Sequence, residues 1–127
     1  MNRSDIKHFV SSAVLLLVLL VALSSCEYEF IEIDQPDPDV TVKFSESILP
    51  IFENNNCTGC HKLGATAPDL TAANAYNSIV PAFVNLSDPE SSIIYTVPGP
   101  SSSHPARYNL TQAALVLTWI KQGAENN

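Results

Sequence analysis

Apolar side chains are concentrated in one stretch near the N-terminus and in three later stretches with helical spacing. The first stretch, residues 10–23, is apolar except for Ser11 and Ser12 and holds no charged side chain. The later stretches predict helices over about residues 45–55, 72–83 and 112–125, because their apolar positions recur three and four residues apart. A segment rich in proline, glycine and serine lies between the second and third helices. The pattern predicts a small all-α domain with a long loop before its C-terminal helix.

The ends of two predicted helices carry recognisable start and stop signals. Ser45 is a suitable N-cap for the first helix, and Pro50 must lie in or near its first turn. Thr111 is the expected N-cap of the third helix, with Leu110 packing on Leu115 as a hydrophobic staple. Gly123 lies where that helix should stop. The expected buried stripe of the third helix consists of Ala113, Val116, Leu117 and Ile120, with Trp119 beside them.

The N-terminal segment has the features of an export signal. Arg3 and Lys7 precede the apolar run, whose 14 residues suit a signal peptide better than a membrane span. The run ends in Leu-Ser-Ser before Cys26, which resembles a bacterial lipobox. The resemblance implies a lipoprotein signal peptide over residues 1–25 and acylation of Cys26, which then anchors the chain to a membrane. The alternatives are an ordinary signal peptide with an unmodified Cys26 and an uncleaved membrane anchor.

Residues 26–39 connect this lipidation site to the folded part of the chain. They carry six acidic side chains and no basic one, and two prolines break the end of the stretch. This composition favours an extended acidic tether, although alternating aromatic, aliphatic and acidic residues would also suit a short edge strand. The folded domain is therefore expected over residues 40–127.

The charge of the chain restricts its partners. The 127 residues carry a formal net charge of −7, and residues 26–127, with twelve acidic and four basic side chains, carry −8. An acidic chain without a basic run argues against binding to nucleic acid, because phosphate recognition needs lysine or arginine. The chain has three cysteines, which cannot all pair, so a disulfide scaffold is not expected.

The sequence Cys57-Thr58-Gly59-Cys60-His61 has the spacing of a c-type haem attachment site. Two thiols three positions apart can reach the vinyl groups on one side of a porphyrin, and the next imidazole can then meet the iron. Gly59 is expected to permit the tight backbone that this requires. A redox disulfide would need a βαβ context, which the pattern lacks. A zinc site would use Cys57, Cys60 and His61 together with His104, and a chance occurrence is the remaining alternative.

Around this motif the chain resembles a small monohaem class I-like cytochrome c, of the kind found as lipoprotein domains in Bacteroidetes and Planctomycetes. The matching stretches are residues 44–61, 67–70, 88–95 and 110–124. The resemblance implies an all-α cytochrome c fold of three main helices around one covalent haem c. Cys57 and Cys60 would form the thioethers, and His61 would be the proximal iron ligand. The carbonyl of Pro68 would accept a hydrogen bond from the His61 ring.

The sixth iron ligand departs from the common family pattern. Most such domains supply methionine from a Met-Pro pair, but this chain has no methionine after Met1. His104-Pro105 stands in the corresponding place, which favours His104 as the distal ligand. The alternatives are an exposed His104 with five-coordinate iron, and a lysine or the N-terminal amine as ligand. Arg107 is a candidate for contact with a haem propionate, as are Tyr95, Tyr108 and Trp119, although surface exposure or core packing would explain each of them equally well.

The function expected from these features is one-electron transfer by a carrier tethered to the outer face of a membrane, and not enzymatic catalysis. Loss of the methionine ligand should lower the reduction potential. Partners would be other redox proteins with a basic face, such as cytochromes, oxidase subunits or reductase subunits. The protein would lie on the periplasmic side of a membrane or on the outer membrane. The alternatives are a haem sensor or peroxidase-like protein with an open iron site, and a haem-free or zinc-bound interaction module.

Overall fold

The computed structural model describes residues 3–4, 7–8, 10, 12–16, 36–37 and 39–127. The chain divides into two compact units, Met1–Glu32 and Ile33–Asn127. The described residues of the first unit are helical and exposed. The predicted lipidation site Cys26 lies outside the described residues, as does most of the predicted tether over residues 26–39. The described residues of the second unit form helices and turns without a strand, which confirms the all-α prediction at this level.

The first predicted helix is present but begins irregularly. A π-helical turn, Phe44–Ile48, leads directly into α1, Leu49–Asn54. Pro50 lies in the first turn of α1, where a missing N–H costs no hydrogen bond. The prediction that Ser45 caps the helix is wrong, because the Ser45 hydroxyl instead donates to the backbone carbonyl of Asn127 at 2.8 Å.

The middle of the unit contains shorter helices than the sequence predicts. The helix expected over residues 72–83 is only α2, Ala75–Ile79. It ends because Val80, which precedes Pro81, takes an extended backbone. Within the segment predicted to be a long loop, a short helix α3 spans Ile93–Thr96, just after a 3₁₀ turn at Pro89–Ser91.

The C-terminal helix α4 spans Leu110–Lys121, so it begins and ends earlier than the expected range of 112–125. Asn109, and not Thr111, is its N-cap. The Asn109 side chain accepts a hydrogen bond from the Gln112 N–H, and the Gln112 side chain accepts one from the Asn109 N–H. This reciprocal pair is a capping box, which satisfies two backbone donors at once.

The buried face of α4 largely follows the predicted stripe. Leu117 is half-buried, in contrast to the prediction. Leu110 is the first residue of the helix and is 53% exposed, so the predicted staple of Leu110 on Leu115 is wrong. Gly123 terminates the helix with a left-handed backbone, φ 103°. The buried residues of α4 are Ala113, Val116, Trp119 and Ile120.

Aromatic packing joins the two ends of the domain. The Phe44 ring lies 5.4 Å from the Trp119 ring and 5.3 Å from the Tyr76 ring, which it meets edge-on. Ile48 and Phe52, from the same N-terminal segment, are fully buried in this cluster. Burial of large side chains at this density supplies most of the stability of a small domain.

Hydrogen bonds fix the same two helices relative to each other. The Asn55 amide, just after α1, donates to Gln112 in the first turn of α4 at 3.0 Å. At the other end, the Val42 N–H donates to the Gln122 side chain at 2.8 Å. The end of α1 and the start of α4 are therefore held together, and the candidate site is built from the segments that adjoin them.

No helix among the described residues combines the length and the apolar character needed to cross a membrane.

The packing predicts a large loss of stability when Trp119 is truncated. Trp119→Ala should lower the free energy of unfolding by about 3–5 kcal/mol, because it opens a cavity between the terminal segments. The exposed Leu110 in the same helix is the matched control, and Leu110→Ala should change stability by less than about 0.5 kcal/mol. Urea unfolding of the purified protein measures both. Equal losses for the two variants would contradict the assignment of this core.

Candidate functional site

The Cys-x-x-Cys-His segment forms a tight turn two residues after α1. Asn56 takes a left-handed backbone, φ 55°, and a 3₁₀ turn at Cys57–Gly59 follows. The His61 N–H donates to the Cys57 carbonyl at 2.9 Å, a helical i to i+4 bond. The left-handed position is therefore Asn56 and not Gly59, since asparagine tolerates this conformation better than most residues.

This turn places Cys57 and His61 on one side and Cys60 on another. Cys57 is buried, and both Cys57 and His61 line the same cavity, because residues four apart on a helical turn share a face. Cys60 is exposed and is not part of the cavity wall. Both cysteines are free thiols in this structure.

The cavity has a volume of about 110 Å³ and lies between the Cys-x-x-Cys-His turn and the segment before α4. Its polar groups come from two cysteine-turn residues and from two residues of the later segment, His104 and Tyr108. The cysteine turn, Pro68 and His104 were predicted from the sequence. The rest of the apolar wall comes from residues that are distant from the cysteine turn in sequence and was not predicted. The apolar wall consists of Ala67, Pro68, Leu70, Phe83, Ile93, Ile94, Val97 and Pro98.

Two histidine rings face this cavity at a separation that suits one metal ion. The centres of the His61 and His104 rings are 6.0 Å apart, and their planes differ by 27°. An imidazole nitrogen bound to a transition metal lies about 2 Å from it, with the ring centre about 1 Å further away. Two such rings on opposite sides of one ion would therefore have centres about 6 Å apart. The structure brings together the two side chains that the sequence named as axial ligands.

The two rings differ in their hydrogen bonds. The Nδ1 atom of His104 donates to the backbone carbonyl of Ala106 at 2.6 Å. The Nδ1 atom of His61 is buried and has no hydrogen-bond partner among the described residues. The bond from His61 to the Pro68 carbonyl is therefore not formed here, although Pro68 is buried and lines the same cavity as His61. The role of the Ala106 carbonyl was not predicted, because every residue has a backbone carbonyl and the residue type does not show which one accepts a hydrogen bond.

The other candidate polar contacts lie in different places. Arg107 is exposed, lies outside the cavity wall, and donates from Nη1 to the Ser102 carbonyl at 3.2 Å. Trp119 packs in the core and donates from Nε1 to the Glu125 carbonyl at 3.0 Å, so its indole N–H is already used. Tyr95 is half-buried and does not line the cavity.

Tyr108 does line the cavity and is 3% exposed. Burial, together with the charge of the nearby Cys57 thiolate, raises the pKa of Tyr108 above its ordinary range. Its phenol therefore keeps its proton at neutral pH and presents a neutral O–H group. Its backbone N–H donates to the Pro98 carbonyl at 2.8 Å, which closes the base of the loop that carries His104.

The zinc alternative would require four converging ligands. Within the described part of the chain, no three histidine, cysteine, aspartate or glutamate side chains are grouped to hold a metal ion. Cys57, Cys60, His61 and His104 all lie in that part, and Cys60 does not line the cavity that the other three share. The geometry therefore does not favour a zinc site built from these four side chains.

Comparison of the chain with protein-family models, with curated proteins and with solved structures finds no match.

The contrast between the two cysteines predicts selective alkylation of the haem-free protein. Burial raises the pKa of the Cys57 thiol, which lowers its thiolate fraction at a given pH. In a Cys26→Ser background, iodoacetamide should modify the exposed Cys60 severalfold faster than Cys57. Modification of Cys57 should also require a higher pH than it does in the unfolded chain. Peptide mass spectrometry measures both rates.

The control for this prediction is the same reaction in urea, where the two thiols should react at similar rates. Equal rates in the folded protein would contradict the placement of Cys57 in the cavity wall.

Proposed function

We propose that this protein is a one-electron carrier with a single covalently attached haem c, ligated by His61 and His104. The single observation that carries the proposal is the 6.0 Å separation of the two histidine rings across an apolar cavity that Cys57 also lines. The family resemblance of the Cys-x-x-Cys-His segment supports it independently. The proposed fold is that of a small class I-like cytochrome c.

The residues of the cavity fit the chemistry of such a group. Cys57 and Cys60 would hold it through thioether bonds, with His61 and His104 as nitrogen ligands on opposite faces. The Nδ1 atom of His61 is buried without a partner, and a ligating histidine commonly donates this proton to a backbone carbonyl. The Pro68 carbonyl would be that acceptor when the haem is bound, since Pro68 lines the same cavity as His61. When bound, the haem supplies a reversible Fe(III)/Fe(II) couple.

The protein side chains favour electron transfer over reactions of a bound substrate. Two histidines would fill both axial positions and leave no site for an exogenous ligand. The remaining wall is mainly apolar, and besides the two histidines its ionisable side chains are Cys57 and Tyr108. Because Cys57 would be bound in a thioether, the described cavity wall offers no acid–base pair for proton transfer to a substrate.

The proposed location follows from the N-terminal sequence. An export signal with lipidation at Cys26 would tether the domain to the outer face of a membrane. The acidic residues 26–39 would act as the spacer. Residues 40–127 carry six acidic and four basic side chains, a net charge of −2, so electrostatic attraction to a basic redox partner would be modest.

Visible spectroscopy of the haem-matured protein tests axial ligation. The ferric and ferrous forms should be low-spin, and carbon monoxide should not change the ferrous spectrum rapidly. His104→Ala should produce a high-spin spectrum and rapid carbon monoxide binding, because one axial position is then open. Ser103→Ala, in the same loop, is the matched control and should leave the spectra unchanged.

A high-spin wild-type spectrum with immediate carbon monoxide binding would contradict the bis-histidine proposal and favour a sensor or peroxidase-like function. A colourless protein after expression with a haem-attachment system would contradict the cytochrome proposal altogether.

The reduction potential provides a second prediction. Histidine/methionine ligation raises the potential of a c-type haem, so this chain should have a lower potential than typical cytochromes of that type. His104→Met should raise it toward that range. Spectroelectrochemical titration of both proteins measures the difference. A wild-type potential already in the histidine/methionine range would overturn the proposed ligand pair.

A further inference from the structure

The loop that carries His104 is closed by three short-range hydrogen bonds. The backbone N–H of His104 donates to the Ser102 hydroxyl at 3.2 Å. The Arg107 guanidinium donates to the Ser102 carbonyl, also at 3.2 Å, across the outside of the loop. The His104 ring makes the third bond, from Nδ1 to the Ala106 carbonyl at 2.6 Å. This last distance is short for an N–H···O hydrogen bond.

The third bond determines which ring nitrogen carries the proton. A carbonyl oxygen can only accept a hydrogen bond, so Nδ1 of His104 must be the donor. A neutral imidazole has a single N–H, which leaves Nε2 with a free lone pair. His61 has no comparable constraint, because its Nδ1 atom lacks a partner among the described residues.

We propose that the backbone carbonyl of Ala106 is a positioning group for His104. It selects the Nδ1–H tautomer and orients the ring, so that Nε2 is the nitrogen offered to the cavity. Donation to a carbonyl also raises the basicity of the ligating nitrogen. The inference rests on the proposed function for the identity of the bound group, while the tautomer itself is a property of the chain alone.

The local sequence explains why this carbonyl reaches the ring. Pro105 fixes its own φ and restricts the backbone of His104, so the chain turns back directly after the histidine. The Arg107 guanidinium donates to the Ser102 carbonyl, so the Arg107 side chain helps to hold this loop. The base of the same loop is closed by the bond from Tyr108 to Pro98.

The first test is the tautomeric state of each histidine in the full-length, haem-free chain. Long-range ¹H–¹⁵N correlation spectra of ¹⁵N-histidine-labelled protein, recorded above the titration range of histidine, distinguish the two nitrogens. His104 should show a protonated Nδ1 and an unprotonated Nε2. The same chain unfolded in urea is the control and should show the tautomer mixture of a free side chain. Histidine-to-glutamine variants assign the signals.

A protonated Nε2 at His104, or a tautomer mixture equal to that of the unfolded chain, would overturn the inference. This readout needs no haem, so it fails or succeeds separately from the proposed function. A colourless protein with the Nδ1–H tautomer would refute the cytochrome and retain the positioning role. A low-spin, carbon monoxide-insensitive cytochrome whose haem-free form shows a free tautomer mixture at His104 would support the proposed function and refute the positioning role.

The second test removes the hydrogen bond from the haem-matured protein without removing the ligand. Replacement of His104 by Nδ1-methylhistidine keeps Nε2 but deletes the donor to Ala106. Ligation by residue 104 should weaken by about 10–100-fold, seen as faster carbon monoxide binding, and the reduction potential should rise. Ser103→Ala is the control and should change neither quantity. Unchanged ligation and potential in the methylated protein would overturn the positioning role.

Discussion

The packing of the N-terminal segment against the C-terminal helix is the constraint on which the candidate site depends. Phe44 contacts Trp119 in the core, and Asn55 is hydrogen-bonded to Gln112. The cysteine turn begins two residues after Asn55, and the loop with His104 ends just before α4. The aromatic contact and the hydrogen bond together hold the helices that adjoin two segments more than forty residues apart in sequence. The cavity lined by His61 and His104 lies between these two segments.

The chemistry proposed for the cavity follows from its unequal polar groups. Apolar residues form most of the wall, and apolar surroundings favour the less charged state of a bound redox group. The His104 ring donates to the Ala106 carbonyl, whereas His61 lies in the helical turn after Cys57 and its N–H donates to the Cys57 carbonyl. One proposed ligand thus owes its position to a loop and the other to a short helical turn.

The sequence predicted the helical class, the cysteine turn and His104 because each has a local signal. Helical spacing locates α1 and α4, and the Cys-x-x-Cys-His spacing is specific by itself. Thr111 was predicted as the cap of α4, whereas the structure uses Asn109, whose side chain forms a capping box with Gln112. The range predicted for α2 was too long at its C-terminal end, because Pro81 forces Val80, one residue earlier, into an extended backbone. The roles of Ile93 and Phe83 depend on tertiary contacts, and sequence spacing carries no information about those contacts. The Ala106 carbonyl is only two residues from His104, but a backbone acceptor has no signal in the residue type.

The central claim is that His61 and His104 bind the same iron. Near-infrared magnetic circular dichroism of the ferric, haem-matured protein tests it most directly, because the position of the ligand-dependent charge-transfer band identifies the axial pair. The account predicts the band position of two neutral imidazoles in the wild-type protein and its loss in His104→Ala. A band typical of histidine with lysine or hydroxide, or a high-spin spectrum in the wild-type protein, would contradict the account.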